Sequence, residues 1–123
     1  TMKGRNKTME NLLDVTMGLQ YCADSEEIYR EILQMFCDSM LETKAEILSA
    51  KATENWLDYA THVHALKSTS LTIGSVPLSE AAKELELAAK DGSPESLALV
   101  EQKTVPLMEL YDETVQAIIE WLG

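Results

Sequence analysis

Residues 54–92, ENWLDYATHVHALKSTSLTIGSVPLSEAAKELELAAKDG, carry two helical periods separated by one short break. At 100° steps, Tyr59, Val63, Leu66, Ser70 and Ile73 fall within an arc of about 80°, so a helix from about Glu54 to Thr72 has one inward face. Gly74 stops that helix. Pro77 opens the next one at a first-turn position, where a missing N–H costs nothing. Leu78, Ala81, Ala82, Leu85, Ala88 and Ala89 make its buried face, and their small size lets neighbouring helices approach closely. Gly92 reads as its C-cap. Helices joined by so short a connection fold back on each other as an antiparallel pair.

On the N-terminal side, a short amphipathic stretch runs from Asn11 to about Tyr21, with Leu12, Leu13, Val15 and Leu19 as its apolar residues. Asp24 and Glu27 have the spacing of a capping box at a helix start. From there Ile28, Ile32, Met35, Phe36, Met40, Ile47 and Leu48 recur near the helical period, as core residues of a helix ending between Ala50 and Thr53. On the C-terminal side, Ser93-Pro94-Glu95 starts a last helix. Its stripe is Leu97, Val100, Leu107, Tyr111, Val115, Ile118 and Leu122, with a kink expected at Pro106. The first ten residues, TMKGRNKTME, are polar and unpatterned and read as a flexible lead-in. The Thr before Met2 fits a chain cut from something longer. No alternating strand pattern or Asn-Gly hairpin signal occurs. The expected architecture is all-α: an antiparallel up-down-up-down four-helix bundle over residues 11–123, with the short N-terminal helix as a lid.

The chain holds 21 acidic side chains against 10 basic ones, a formal net charge of −11 over 123 residues. Three of the bases, Lys3, Arg5 and Lys7, lie in the lead-in, so the body is more acidic still. Such a body is repelled by nucleic acid and by anionic lipid, which argues against either as a partner. Cys22 and Cys37 have no metal-ligand spacing and read as small apolar helix residues in a reducing compartment. With no signal peptide and no stretch long enough to span a membrane, the sequence reads as cytoplasmic, or as the cytoplasmic portion of a membrane-bound protein.

Enzyme signatures are sparse. There is no phosphate-binding Gly loop and no HExxH helix. Neither His62 nor His64 has a Glu three residues before it, as a di-iron bundle requires. The two histidines point about 200° apart on a helix and do not chelate one metal. A metal or cofactor bundle is therefore disfavoured, and no metal site is expected. His64 lies at the edge of the apolar arc, flanked along its strip by Leu57 and Leu71. Thr61 and Ser68 leave space around the ring, and Lys67 reaches an anion attached to it. Leu57 and Leu71 form an apolar rim of the kind that marks a docking surface.

Here the residues match a family. His64-Ala65-Leu66-Lys67-Ser68-Thr69-Ser70, then Ile73-Gly74, then Leu78 and Leu85-Glu86-x-Ala88, resembles the histidine-containing phosphotransfer (HPt) domain. Asp14-Val15-x-x-Gly18-Leu19, Glu27-x-Tyr29 and Leu33-x-x-Phe36 are similar to that family's first two helices. The resemblance spans about residues 11 to 120. It implies a monomeric phosphocarrier in a two-component phosphorelay, without ATP-dependent kinase activity. His64 is implied to accept a phosphoryl group from a receiver-domain aspartate and to pass it to another. The response-regulator receiver is the implied partner, with a hybrid sensor histidine kinase as a further one. Mg²⁺ is expected on the receiver, so the domain has no cofactor of its own.

The same resemblance gives Lys67 the role of offsetting the phosphoryl charge. Glu86 falls where some relatives orient the imidazole, although a solvated helix glutamate is the simpler reading of it. Lys83 and Lys90 share a strip with Glu86 and are candidates for added positive potential. Leu57, Thr61, Ser68 and Leu71 are docking candidates. Ser68 stands where the family usually has Gly, and Ser75 where it often has Ala, a replacement that reads as harmless. The alternative from another class is a degenerate bundle that binds partners through this surface without chemistry; the intact His64 and Lys67 argue against it.

Overall fold

The structure, a computed structural model, describes residues 11–123; the expected lead-in over 1–10 lies outside the described residues. Five helices with described bounds follow in order among the described residues: α1 Val15–Tyr21, α2 Glu26–Ala52, α3 Trp56–Ile73, α4 Val76–Asp91 and α5 Pro94–Leu122. Among the described residues there is no strand. Helices α2 to α5 form a closed ring in which each packs on its neighbours in sequence and α5 returns to α2. Short connections make successive helices antiparallel, which is the expected four-helix bundle.

The caps explain the helix ends. Ser93 accepts from the Ser96 amide at 3.2 Å and starts α5, as the Ser-Pro-Glu sequence indicates. Asn55 accepts from the Asp58 amide and starts α3. Gly74 (φ +92°) and Gly92 (φ +69°) end α3 and α4 in the left-handed conformation that glycine adopts without strain. The start of α2 differs from expectation. Its cap is Ser25, which accepts from the Ile28 amide, while Asp24 sits outside the helix at φ +59°. The left-handed turn through Ala23 and Asp24 moves the start one residue past the capping-box register.

The face that α2 buries also differs. Tyr29, Leu33, Phe36, Ile47 and Ala50 face the core, whereas Ile28, Met35 and Leu48 are exposed. Two apolar strips lie side by side on this helix, and the core selects the one carrying Tyr29. That ring is fully buried, and its hydroxyl donates to the Ile73 carbonyl at 2.7 Å. Tyr59, equally buried, shares a 2.7 Å hydrogen bond with the Thr104 hydroxyl. The inward arc of α3 and the Ala-rich face of α4 are buried as their spacing predicts. Helix α5 runs unbroken through Pro106, which lies on its solvent side, where the carbonyl deprived of a donor remains open to water.

Helix α1 packs on α3 and α2. The Asp14 amide donates to the Gly74 carbonyl at 2.8 Å. A Cβ on Gly74 would run into the Asp14 carbonyl oxygen, and one on Gly18 would meet the Tyr29 ring and the Ile73 carbonyl. The Ile73-Gly74 pair is therefore the seat of α1. His64 lies nine residues earlier, about 13 Å back along α3. So α1 is the expected short lid, and it closes the end of the bundle away from the histidine.

Ser75 corrects another expectation. It is fully buried, and its hydroxyl has no hydrogen-bond partner among the described residues. A buried hydroxyl without a partner carries an unmatched desolvation cost, so serine here is not neutral.

Candidate functional site

Helices α3 and α4 pack closely because small residues line their contact: Ser70 from α3, and Ser79, Ala82 and Ala89 from α4 are all buried. The Ser79 hydroxyl donates to the Lys67 carbonyl at 2.9 Å and fixes the register of the two helices beside the site. At that register Glu86 reaches across to α3. Its side chain is only 3% exposed, while the His64 ring above it is 56% exposed. Glu86 is therefore not the solvated glutamate that its position on a charged helix suggests.

Three groups converge on this carboxylate. His64 Nδ1 lies 2.7 Å from Oε2, Lys67 Nζ lies 2.6 Å from Oε1, and Lys90 Nζ lies 2.8 Å from Oε2. Burial by itself would raise the Glu86 pKa. Hydrogen bonds from Lys67, Lys90 and His64, with the charge of Lys67, outweigh burial and hold the group down at about 2. The carboxylate is thus ionised throughout the physiological range and can only accept. In the neutral imidazole the shared proton must then sit on Nδ1, so Nε2 keeps its lone pair on the exposed side of the ring. Two lysines around one carboxylate also leave a surplus of one positive charge beside that nitrogen.

The structure thus brings together four of the residues singled out in the sequence: His64, Lys67, Glu86 and Lys90. Lys83 is not drawn in; it is exposed and makes no ion pair or hydrogen bond among the described residues. The docking candidates are spread along the outside of α3. Leu57 and Leu71 are exposed large apolar residues, and the exposed Thr61 donates its hydroxyl back to the Leu57 carbonyl. Ser68 is exposed and lines a groove of about 350 Å³ between α2 and α3, with Ile32, Met35 and Phe36 on the opposite wall.

Met35, expected in the core, is exposed on this wall, whereas Ile32 is half-buried and packs against the core as expected. The adjoining Tyr29 strip was the available signal. His62 points elsewhere, to Glu46 of α2 at 3.1 Å. No group of three or more His, Cys, Asp or Glu among the described residues is arranged to hold a metal ion. No helix among them is long and apolar enough to cross a membrane.

Comparison with known proteins agrees with this geometry. No curated protein sequence matches the chain. Among solved structures, the HPt domain of an Hpt sensor hybrid histidine kinase from Shewanella superposes with a TM-score of 0.78 at 23% identity, covering 91% of this chain and 94% of that one. That likeness is one of fold. The sequence profile of the Hpt domain matches residues 31–121, a span that holds all four convergent side chains. The chain is a member of the Hpt domain family.

Proposed function

We propose that this domain is a phosphorelay carrier that takes a phosphoryl group onto Nε2 of His64 from the aspartyl phosphate of a receiver domain and returns it to a receiver aspartate. The observation that carries the reading is the His64–Glu86 hydrogen bond. Glu86 fixes the proton on Nδ1 and leaves Nε2 as an exposed nucleophile. In the forward step the Nε2 lone pair forms the N–P bond as the bond from phosphorus to the receiver carboxylate oxygen breaks; the carboxylate leaves with that electron pair. The ring keeps its Nδ1 proton and gains positive charge, and the ionised Glu86 beneath it stabilises that charge. Phosphoryl transfer needs in-line positioning and charge neutralisation more than covalent help, which suits a site made of one nucleophile and fixed charges. Lys67 contributes positive charge from its place on Glu86. The Mg²⁺ that neutralises the transferring group would be held by the receiver, and Leu57, Thr61, Ser68 and Leu71 on the outside of α3 would be the residues that meet that receiver.

The experiment is transfer of label from a phosphorylated receiver. The expected product carries acid-labile, base-stable phosphate, which is absent in His64→Gln and present in His62→Gln. Label that persisted in His64→Gln would refute the assignment.

A further inference from the structure

The two lysines at Glu86 are bound in different ways. Among the described residues Lys67 is the sole partner of Oε1, at 2.6 Å, and its side chain is 27% exposed between the helices. Lys90 shares Oε2 with His64 Nδ1, at 2.8 Å, and its side chain is 59% exposed. Removing Lys67 would leave one oxygen of a buried carboxylate bare, which is costly. Removing Lys90 would leave each oxygen with one partner, Lys67 on Oε1 and His64 on Oε2. One lysine is needed where it is, and the other is redundant there.

We infer that Lys90 is a mobile cation that leaves Glu86 for the phosphoryl group once His64 is charged, while Lys67 stays behind as the tether of Glu86. This rests on the reading of His64 as the phosphoryl acceptor and divides the two lysines within that site. Lys90 and His64 Nδ1 end on the same oxygen, so the Lys90 ammonium starts no farther than two hydrogen-bond lengths from Nδ1 of the ring. Its four-carbon stem is flexible and its three donors rotate freely. The phosphoryl group brings close to two negative charges, more than the single positive surplus of the resting site. That charge draws a cation to it, and Lys90 is the one whose departure leaves nothing buried without a partner. Lys90 is therefore a positioning and charge-matching residue specific to the phosphorylated state.

The split is tested with phosphoramidate as donor, which charges a histidine with release of ammonia and requires no partner protein. The charged fraction is measured at a fixed ratio of phosphoramidate to ammonia in wild type, Lys90→Met, Lys90→Arg and Lys67→Met, with Lys83→Met as the charge control. The lysine side-chain NMR signals are followed in wild type before and after charging. Loss of one charge-assisted hydrogen bond predicts an equilibrium constant for charging about tenfold lower in Lys90→Met. Recovery is expected in Lys90→Arg and no change in Lys83→Met. In wild type the Lys90 signal should move on charging and the Lys67 signal should stay. Lys67→Met should instead lower the melting temperature, which Lys90→Met leaves near wild type. Equal charging of Lys90→Met and wild type, or a moving Lys67 with a still Lys90, would overturn the division of roles. Undiminished charging of His64→Gln would overturn the acceptor assignment itself, so the two failures are told apart.

Discussion

Two histidines lie two residues apart on α3, and each brings Nδ1 close to a glutamate carboxylate of a neighbouring helix. His64 meets Glu86 of α4 at 2.7 Å, and His62 meets Glu46 of α2 at 3.1 Å. By distance the pairs are similar, but only His64–Glu86 has the geometry of a hydrogen bond. By burial they are opposites: the ring of His64 is 56% exposed over a carboxylate at 3%, while that of His62 is 30% exposed beside a carboxylate at 44%. Glu86 also holds two lysines, and Glu46 makes no lysine ion pair among the described residues. A histidine–carboxylate contact therefore does not make a site. Fixing one tautomer at an open ring takes a carboxylate that is buried, ionised and unable to turn elsewhere.

The comparison breaks most visibly at the carboxylates. Glu86→Gln removes the fixed charge and offers Nδ1 either a donor or an acceptor, so transfer from a phosphorylated receiver should slow about 10- to 100-fold, the scale for removing a group that orients a functional histidine. Glu46→Gln should transfer at the wild-type rate. Equal slowing in both variants would mean that the two pairs are equivalent after all.

Stability gives a smaller contrast. Lys67→Met should cost about 1–2 kcal/mol in denaturant unfolding, because Oε1 of the buried Glu86 loses its partner while Lys90 still covers part of the charge. Substituting the exposed Lys83 by Met should cost less than about 0.5 kcal/mol.

Acid adds a pH signature. The folded-state pKa of Glu86 lies near 2, below its ordinary 4.5, so its ionised form contributes stability in full above about 4.5. That contribution is lost as pH falls toward 2. The stability difference between wild type and Glu86→Gln should therefore be level above pH 4.5 and shrink below it. A difference that stayed level down to pH 2 would place the depressed pKa elsewhere.

The smallest effect concerns a second rule of burial. Glu86 is buried with every oxygen partnered, whereas Ser75 is buried with a hydroxyl that has no partner among the described residues. Ser75→Ala should stabilise the bundle by about 1 kcal/mol, measured as a rise in the denaturation midpoint.

Much of this was legible in the chain. The arc of Tyr59, Val63, Leu66, Ser70 and Ile73, the glycines at 74 and 92, and the Ser93 cap each act locally, so their pattern survives into the structure. The inward face of α2 was not legible, because two apolar strips compete there. The choice between them depends on Tyr29 finding the Ile73 carbonyl 44 residues away. The burial of Glu86 was hidden for the same kind of reason: a glutamate on a helix looks solvated until the facing helix brings His64 and Lys67 against it. The site was legible as to which side chains have the right chemistry, but not as to which pair across α3 and α4. Lys83 and Lys90 are alike in sequence, and only the four-residue step from Glu86 to Lys90 puts an ammonium on the carboxylate.

The central claim is that Glu86 decides which nitrogen of which histidine reacts. The most direct measurement is the position of phosphorus in the charged, ¹⁵N-labelled domain, read from nitrogen–phosphorus coupling by NMR. A single phosphoryl group is expected on Nε2 of His64, with the proton retained on Nδ1. Phosphorus on Nδ1 of His64, or on His62, would contradict it.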